Sequence, residues 1–212
     1  MPPHVSSRRS DGAPTHRVPN ADRRAATRSA VLDATIRAVV EYGYAGATSA
    51  RIAELSGYTR GAQMHHFDTK AAMVSEALVH LHENRMNSSL GELEEASRHG
   101  LSAFLQALWE TFQNDLFVAA AELRVAARND ERLQAVLLPA EQKIGRRIQE
   151  FVSSALDDGR HESHSLEEVS DHIVNVLRGM AFQQMLHPRE ARAKHQLEVL
   201  EEAVRLLLDK PL

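Results

Sequence analysis

The chain contains no cysteine. That excludes a disulfide framework, a thiolate nucleophile and any Cys-ligated zinc, and it fits a reducing compartment. Aromatic residues are scarce at 5%, with Trp109 the single tryptophan. No apolar run approaches the ~20 residues that a membrane helix needs. The opening stretch, MPPHVSSRRSDGAPTHRVPN, lacks the apolar segment of a secretory signal. A cytoplasmic protein with no membrane association is therefore expected. The sequence shows no glycine-rich phosphate loop, no strand-like alternation and no internal repeat.

What is present is ordinary for a soluble globular protein: 43% hydrophobic and 25% charged residues over 212 positions. That length holds one large domain or two small ones. The net charge of −4 hides an asymmetry. Residues 1–70 carry ten Lys/Arg against six acids, whereas the remainder carries 15 against 23. A polyanion is attracted to the first part and repelled by the second.

Residues 48–70, TSARIAELSGYTRGAQMHHFDTK, are the most informative stretch. Thr48 or Ser49 caps a short helix, because its side-chain oxygen accepts an orphan backbone N–H. Ile52, Ala53 and Leu55 form that helix's apolar side, and Gly57 ends it by accepting the left-handed conformation. Thr59 caps the next helix, Arg60 to Phe67. Helix, roughly three-residue turn with Gly, helix is the helix-turn-helix pattern, whose second helix lies in the DNA major groove. The preceding helix, 22–42, repeats apolar residues at three- and four-residue spacing and stops at Gly43. A fourth helix starts near Thr69.

The wording of this stretch is also specific. Gly43-Tyr44-x-Gly46-x-Thr48, Ile52-Ala53, Gly57-Tyr58-Thr59-Arg60-Gly61-Ala62 and His65-His66-Phe67-x-Thr69-Lys70 together resemble the DNA-binding domain of TetR-family transcriptional regulators. The resemblance covers residues 25–75. The chain has Gln63-Met64 where the family commonly has Leu-Tyr, and Asp68-Thr69 where it has Pro-Ser. Residues 1–21, rich in Pro, Ser and Arg without apolar periodicity, are expected to be a disordered basic arm. The resemblance implies that the rest is all-α, with a three-helix helix-turn-helix domain over 22–70 and a helical effector-binding and dimerisation domain over 71–212. The implied DNA contacts are Thr48, Ser49, Thr59, Arg60, Gln63, Met64, His65, His66 and Lys70. Gln63 suits adenine and Arg60 suits guanine or phosphate. Lys70 is implied to grip a phosphate, which sets register rather than sequence choice.

Everything after residue 88 reads helical. Pro139 falls inside one apolar pattern, where a kink or break is expected. Ser165 with Glu168 forms a capping box opening the next helix. The two terminal helices, 165–186 and 190–209, are unusually apolar for a chain end, and the resemblance implies that they pair two subunits in a homodimer. Candidate effector-lining residues are Trp109, Phe112, Gln113, Phe117, Asn175, Met180 and Gln183, since ligand pockets between helices are apolar with a few placed polar groups.

Twelve histidines raise a metal alternative. A helical-bundle metalloenzyme needs inward Glu and Glu-x-x-His pairs on several helices. His65-His66 and His80-x-His82 do not put two rings on one face, and His161-Glu162-Ser163-His164 lies in a polar loop. The expected function is therefore non-enzymatic, with no metal or cofactor: a repressor released from a pseudo-palindromic operator by a small apolar effector. Control by a protein partner instead of a ligand is the other alternative.

Overall fold

The computed structural model describes residues 20–159 and 163–209. Nearly all of the arm expected over 1–21, and His161 and Glu162 of the expected loop, lie outside the described residues. Every regular element among the described residues is an α-helix.

Helix α1 (Asn20–Gly46) is bent at Gly43, whose backbone (φ 68, ψ 170) is not helical. That conformation is nearly restricted to glycine. A side chain there would also meet the Glu122 carboxylate, 2.8 Å from an ideal Cβ. Three short-range caps then set the next three helices. Thr48 Oγ1 accepts from the Arg51 N–H (3.4 Å) at the start of α2 (Ser49–Ser56). Thr59 Oγ1 accepts from Ala62 N–H (3.3 Å) to open α3 (Arg60–His66). Thr69 Oγ1 accepts from Ala72 N–H (3.0 Å) to open α4 (Lys70–Arg98). Between α2 and α3, Gly57 takes the left-handed conformation at φ 73.

The rest consists of α5 (Leu101–Glu110), α6 (Asp115–Ala127), α7 (Glu131–Leu156), α8 (Ser163–Gln184) and α9 (Glu190–Leu208). Helix α7 runs unbroken through Pro139. Proline deletes one helical N–H donor, which leaves the Ala135 carbonyl without its partner. Pro139 and Ala135 are both exposed, so water can take that carbonyl. Helix α8 begins at Ser163, which places Ser165 inside the first turn and not at the cap.

The core forms two clusters. The first joins Val31, Leu32 and Val39 of α1, Ile52 of α2 and Met73 and Val74 of α4 to Leu116, Ala119 and Leu123 of α6 and Leu133 of α7. Packing therefore does not divide at residue 70: α6 and the start of α7 share a core with the helix-turn-helix. The second cluster joins Leu93 of α4 and Phe104, Leu105 and Trp109 of α5 to Val152, Ile173, Leu177, Leu200 and Val204. Helices α4 and α7 pass through both, and Ser75 Oγ donates to the Val136 carbonyl (2.8 Å) where they cross.

Candidate nucleic-acid interface and internal cavity

The helix-turn-helix presents Thr48, Thr59, Arg60, Met64 and His65 to solvent, with Met64 65% exposed. Ser49 and His66 are half-buried. Arg60 forms no hydrogen bond or ion pair with any described residue, so its guanidinium is unengaged. His65 Nε2 lies 3.1 Å from the Arg24 guanidinium of α1. Burial, with His65, Arg24 and Arg28 alongside, lowers the His66 pKa and favours a neutral ring.

Two residues differ from the sequence-based assignment. Gln63 is only 2% exposed, and its Nε2 donates to the Ser49 carbonyl at 3.2 Å. It ties α3 to α2 and offers no edge to a base; its Oε1 is buried without a partner. Lys70 turns its Nζ back onto the Tyr44 carbonyl, lies 3.5 Å from the Ala45 carbonyl and sits 4.1 Å from the centre of the Tyr44 ring. Burial lowers its pKa, partly offset by Asp130. In this arrangement Lys70 clasps the end of α1.

The structure adds basic residues that motif reading does not single out. Arg51 donates from Nη1 to the Gly46 carbonyl (2.8 Å) and stacks over Tyr42 at 4.3 Å. Arg24 lies beside α3, and Arg28 pairs with Glu76 while stacking over Phe67. Charge counting registers these arginines, but only the packing of α1 against α3 assigns them a place.

A cavity of about 290 Å³ lies between α4, α5, α6, α7 and α8. Its apolar wall includes Leu108, Phe112, Phe117, Ile144, Ile148 and Phe151. His82, Arg124, Glu141 and Arg178 supply its polar side. The Arg124 Nε stands 2.7 and 2.8 Å from the two Glu141 oxygens. His82 Nε2 is buried without a partner. Burial, reinforced by Arg147 and Arg178 and opposed by Glu83, pushes the His82 pKa down to about 4.

Of the residues expected to line an effector site, Phe112 and Phe117 face this cavity. Trp109 and Gln113 lie on a separate groove against α8 and α9, which Phe112 and Phe117 also border. Met180 is buried in the second core cluster, and Asn175 and Gln183 are exposed on α8; none of these three lines the cavity. The residues of its polar side, His82, Arg124, Glu141 and Arg178, sit on α4, α6, α7 and α8. Among the described residues no group of three or more His, Asp or Glu is placed to hold a metal ion. No described helix is long and apolar enough to cross a membrane.

A short capped helix displayed after a glycine turn, on an all-helical chain, has helix-turn-helix geometry. Residues 31–77 match the family model described as bacterial regulatory proteins, tetR family. An uncharacterised HTH-type transcriptional regulator of Mycobacterium tuberculosis is 31% identical over 117 residues. That match spans 54% of this chain and 60% of the relative. A TetR transcription regulator from Haloarcula marismortui superposes with a TM-score of 0.65 at 22% identity, covering 87% of this chain and 97% of that one. The multidrug binding protein EbrR complexed with proflavin superposes at 0.56 and 20% identity, covering 85% and 99%. This chain thus carries the TetR-family N-terminal domain on a TetR-like fold.

Proposed function

We propose that this protein is a ligand-controlled transcriptional regulator that binds duplex DNA as a homodimer. The observation that carries the reading is α3: a helix within the family-matched segment, capped by Thr59, with Arg60, Met64 and His65 exposed and Arg60 unengaged. A helix so displayed fits the major groove, where arginine reads guanine or holds a phosphate. Thr48, Ser49 and Thr59 position the backbone, and Arg24 adds charge beside His65.

One chain reads one half-site, so a second copy is required. Exposed apolar side chains on the terminal helices and the turn between them support pairing there: Phe182 (58%), Leu186 (82%), Val199 (53%) and Leu206 (62%).

Helix α6 offers a route of control. Leu116, Phe117, Ala120 and Arg124 border the cavity, while Ala119 and Leu123 of the same helix pack in the core shared with α1. A ligand that displaces α6 shifts the head that α1 carries. It releases DNA if it binds the DNA-incompetent arrangement more tightly. EbrR holds small molecules on a similar fold. An enzymatic role is not proposed.

Selecting preferred duplexes from a random pool tests the reading. A pseudo-palindrome with half-site centres about one helical turn (~34–36 Å) or a multiple apart is expected. Selection of no sequence, or of one unpaired half-site bound by a monomer, refutes it.

A further inference from the structure

The cavity's polar side has an imbalance. Arg178, half-buried on α8, makes no hydrogen bond or ion pair with any described residue. Glu141 is the carboxylate that acts on it most strongly, yet both Glu141 oxygens lie 2.7 and 2.8 Å from Arg124 Nε. Asp171 acts on Arg178 from the exposed side of α8. His82 Nε2 on α4 is a second buried group without a partner, and it lies within the electrostatic reach of Arg178. Glu92, Glu110 and Arg85 also border the cavity, but all three are exposed, where water screens them. Glu141 Oε1 is also buried without a hydrogen-bond partner, so the imbalance is one of charge: the Arg124 and Arg178 guanidiniums share the single Glu141 carboxylate.

Withdrawing a guanidinium from water without an anion costs free energy, and a bound anion recovers it through charge-assisted hydrogen bonds. The same cavity is lined by the rings of Phe112, Phe117 and Phe151 and the branched chains of Ile144 and Ile148, which suit a flat apolar body. A single unengaged guanidinium beside Glu141 disfavours a dianion. A planar monoanion matches the guanidinium fork in two parallel hydrogen bonds.

Building on the reading of this cavity as the effector site, we propose that it takes an aromatic or similarly apolar carboxylate. Arg178 holds the carboxylate, and His82 Nε2 stands beside it as a further donor. Glu141, held by Arg124 of α6, is the carboxylate such a ligand must approach. Ligand charge therefore acts on the helix that shares its core with α1.

Isothermal titration of the full chain with naphthalene-2-carboxylate, naphthalene-2-carboxamide and 2-naphthylmethylammonium tests this. The carboxylate is expected to bind at least about tenfold more tightly than the carboxamide, the scale of one charge-assisted hydrogen bond. The ammonium should bind worst. Arg178→Gln should bring carboxylate and carboxamide to near equality, whereas Arg178→Lys should keep part of the preference. A carboxamide or ammonium that binds as well as the carboxylate overturns the inference, as does a preference that survives Arg178→Gln. The wild-type series decides the matter even if Arg178→Gln fails to fold. Measuring DNA affinity with each compound present separates the two readings. A carboxylate preference with no effect on DNA supports the anion site and refutes the switch. No binding by any of the three overturns both.

Discussion

The Tyr44 backbone N–H donates to Glu122 Oε1 at 3.4 Å, joining residues 78 positions apart. The contact ties α6 to the bend at Gly43, where a Cβ would fall 2.8 Å from the same oxygen. Gly43→Ala should therefore lose stability by about 1–3 kcal/mol, because alanine tolerates the φ 68, ψ 170 backbone poorly. Urea unfolding measures this. Adding Glu122→Ala should recover only the steric part; full recovery would assign the whole cost to the contact.

Gln63→Ala and Arg60→Ala should fail in opposite ways. Gln63 is buried and donates to the Ser49 carbonyl, so its loss should destabilise the fold by about 1–3 kcal/mol while preserving base preference. Arg60 is exposed, so its loss should change stability by no more than about 0.5 kcal/mol. It should weaken DNA binding by about 1–3 kcal/mol. Thermal melts paired with selection from a random DNA pool distinguish the two. A change of base preference in Gln63→Ala would mean that α3 repacks on DNA.

Acid should destabilise the protein through His82. Its folded pKa, about 4, lies below the ordinary histidine value of 6.5 because burial penalises the imidazolium. Between those values the unfolded chain binds more protons, so stability falls as pH drops from 6.5 toward 4. Arg147 and Arg178 reinforce the effect and Glu83 opposes it. Melting temperatures across this window should flatten in His82→Gln. An unchanged slope would assign the acid sensitivity to other groups.

The exposed apolar side chains at the end of α8 and in the turn after it give a test of assembly. Phe182→Glu together with Leu186→Glu should yield a folded monomer that binds operator DNA weakly. Each side chain contributes about 1.5–3 kcal/mol when fully buried at an interface. Sedimentation velocity with circular dichroism reads both properties. A variant that still sediments as a dimer would place the interface elsewhere.

Much of the N-terminal domain is legible because its signals are local. Thr48, Thr59 and Thr69 cap helices within three residues of themselves, and Gly57 ends α2 through its own backbone. Such signals need no distant partner, so helix order and the exposed start of α3 follow from the chain alone. The apolar periodicity that builds the remaining helices is equally local.

The fate of individual polar side chains is a different matter. Gln63 and Arg60 lie three positions apart on one short helix, yet one turns to Ser49 and the other to solvent. Lys70 finds the Tyr44 carbonyl 26 residues away, and Glu122 finds the Tyr44 N–H from α6. Asn175 and Arg178 share α8, but only Arg178 reaches the cavity. Sequence determined the all-helical chain, its caps and its helix-turn-helix. Tertiary structure alone decided which polar groups face a base, a backbone carbonyl or a cavity, because a hydrogen bond or buried charge depends on atoms that only packing brings within reach.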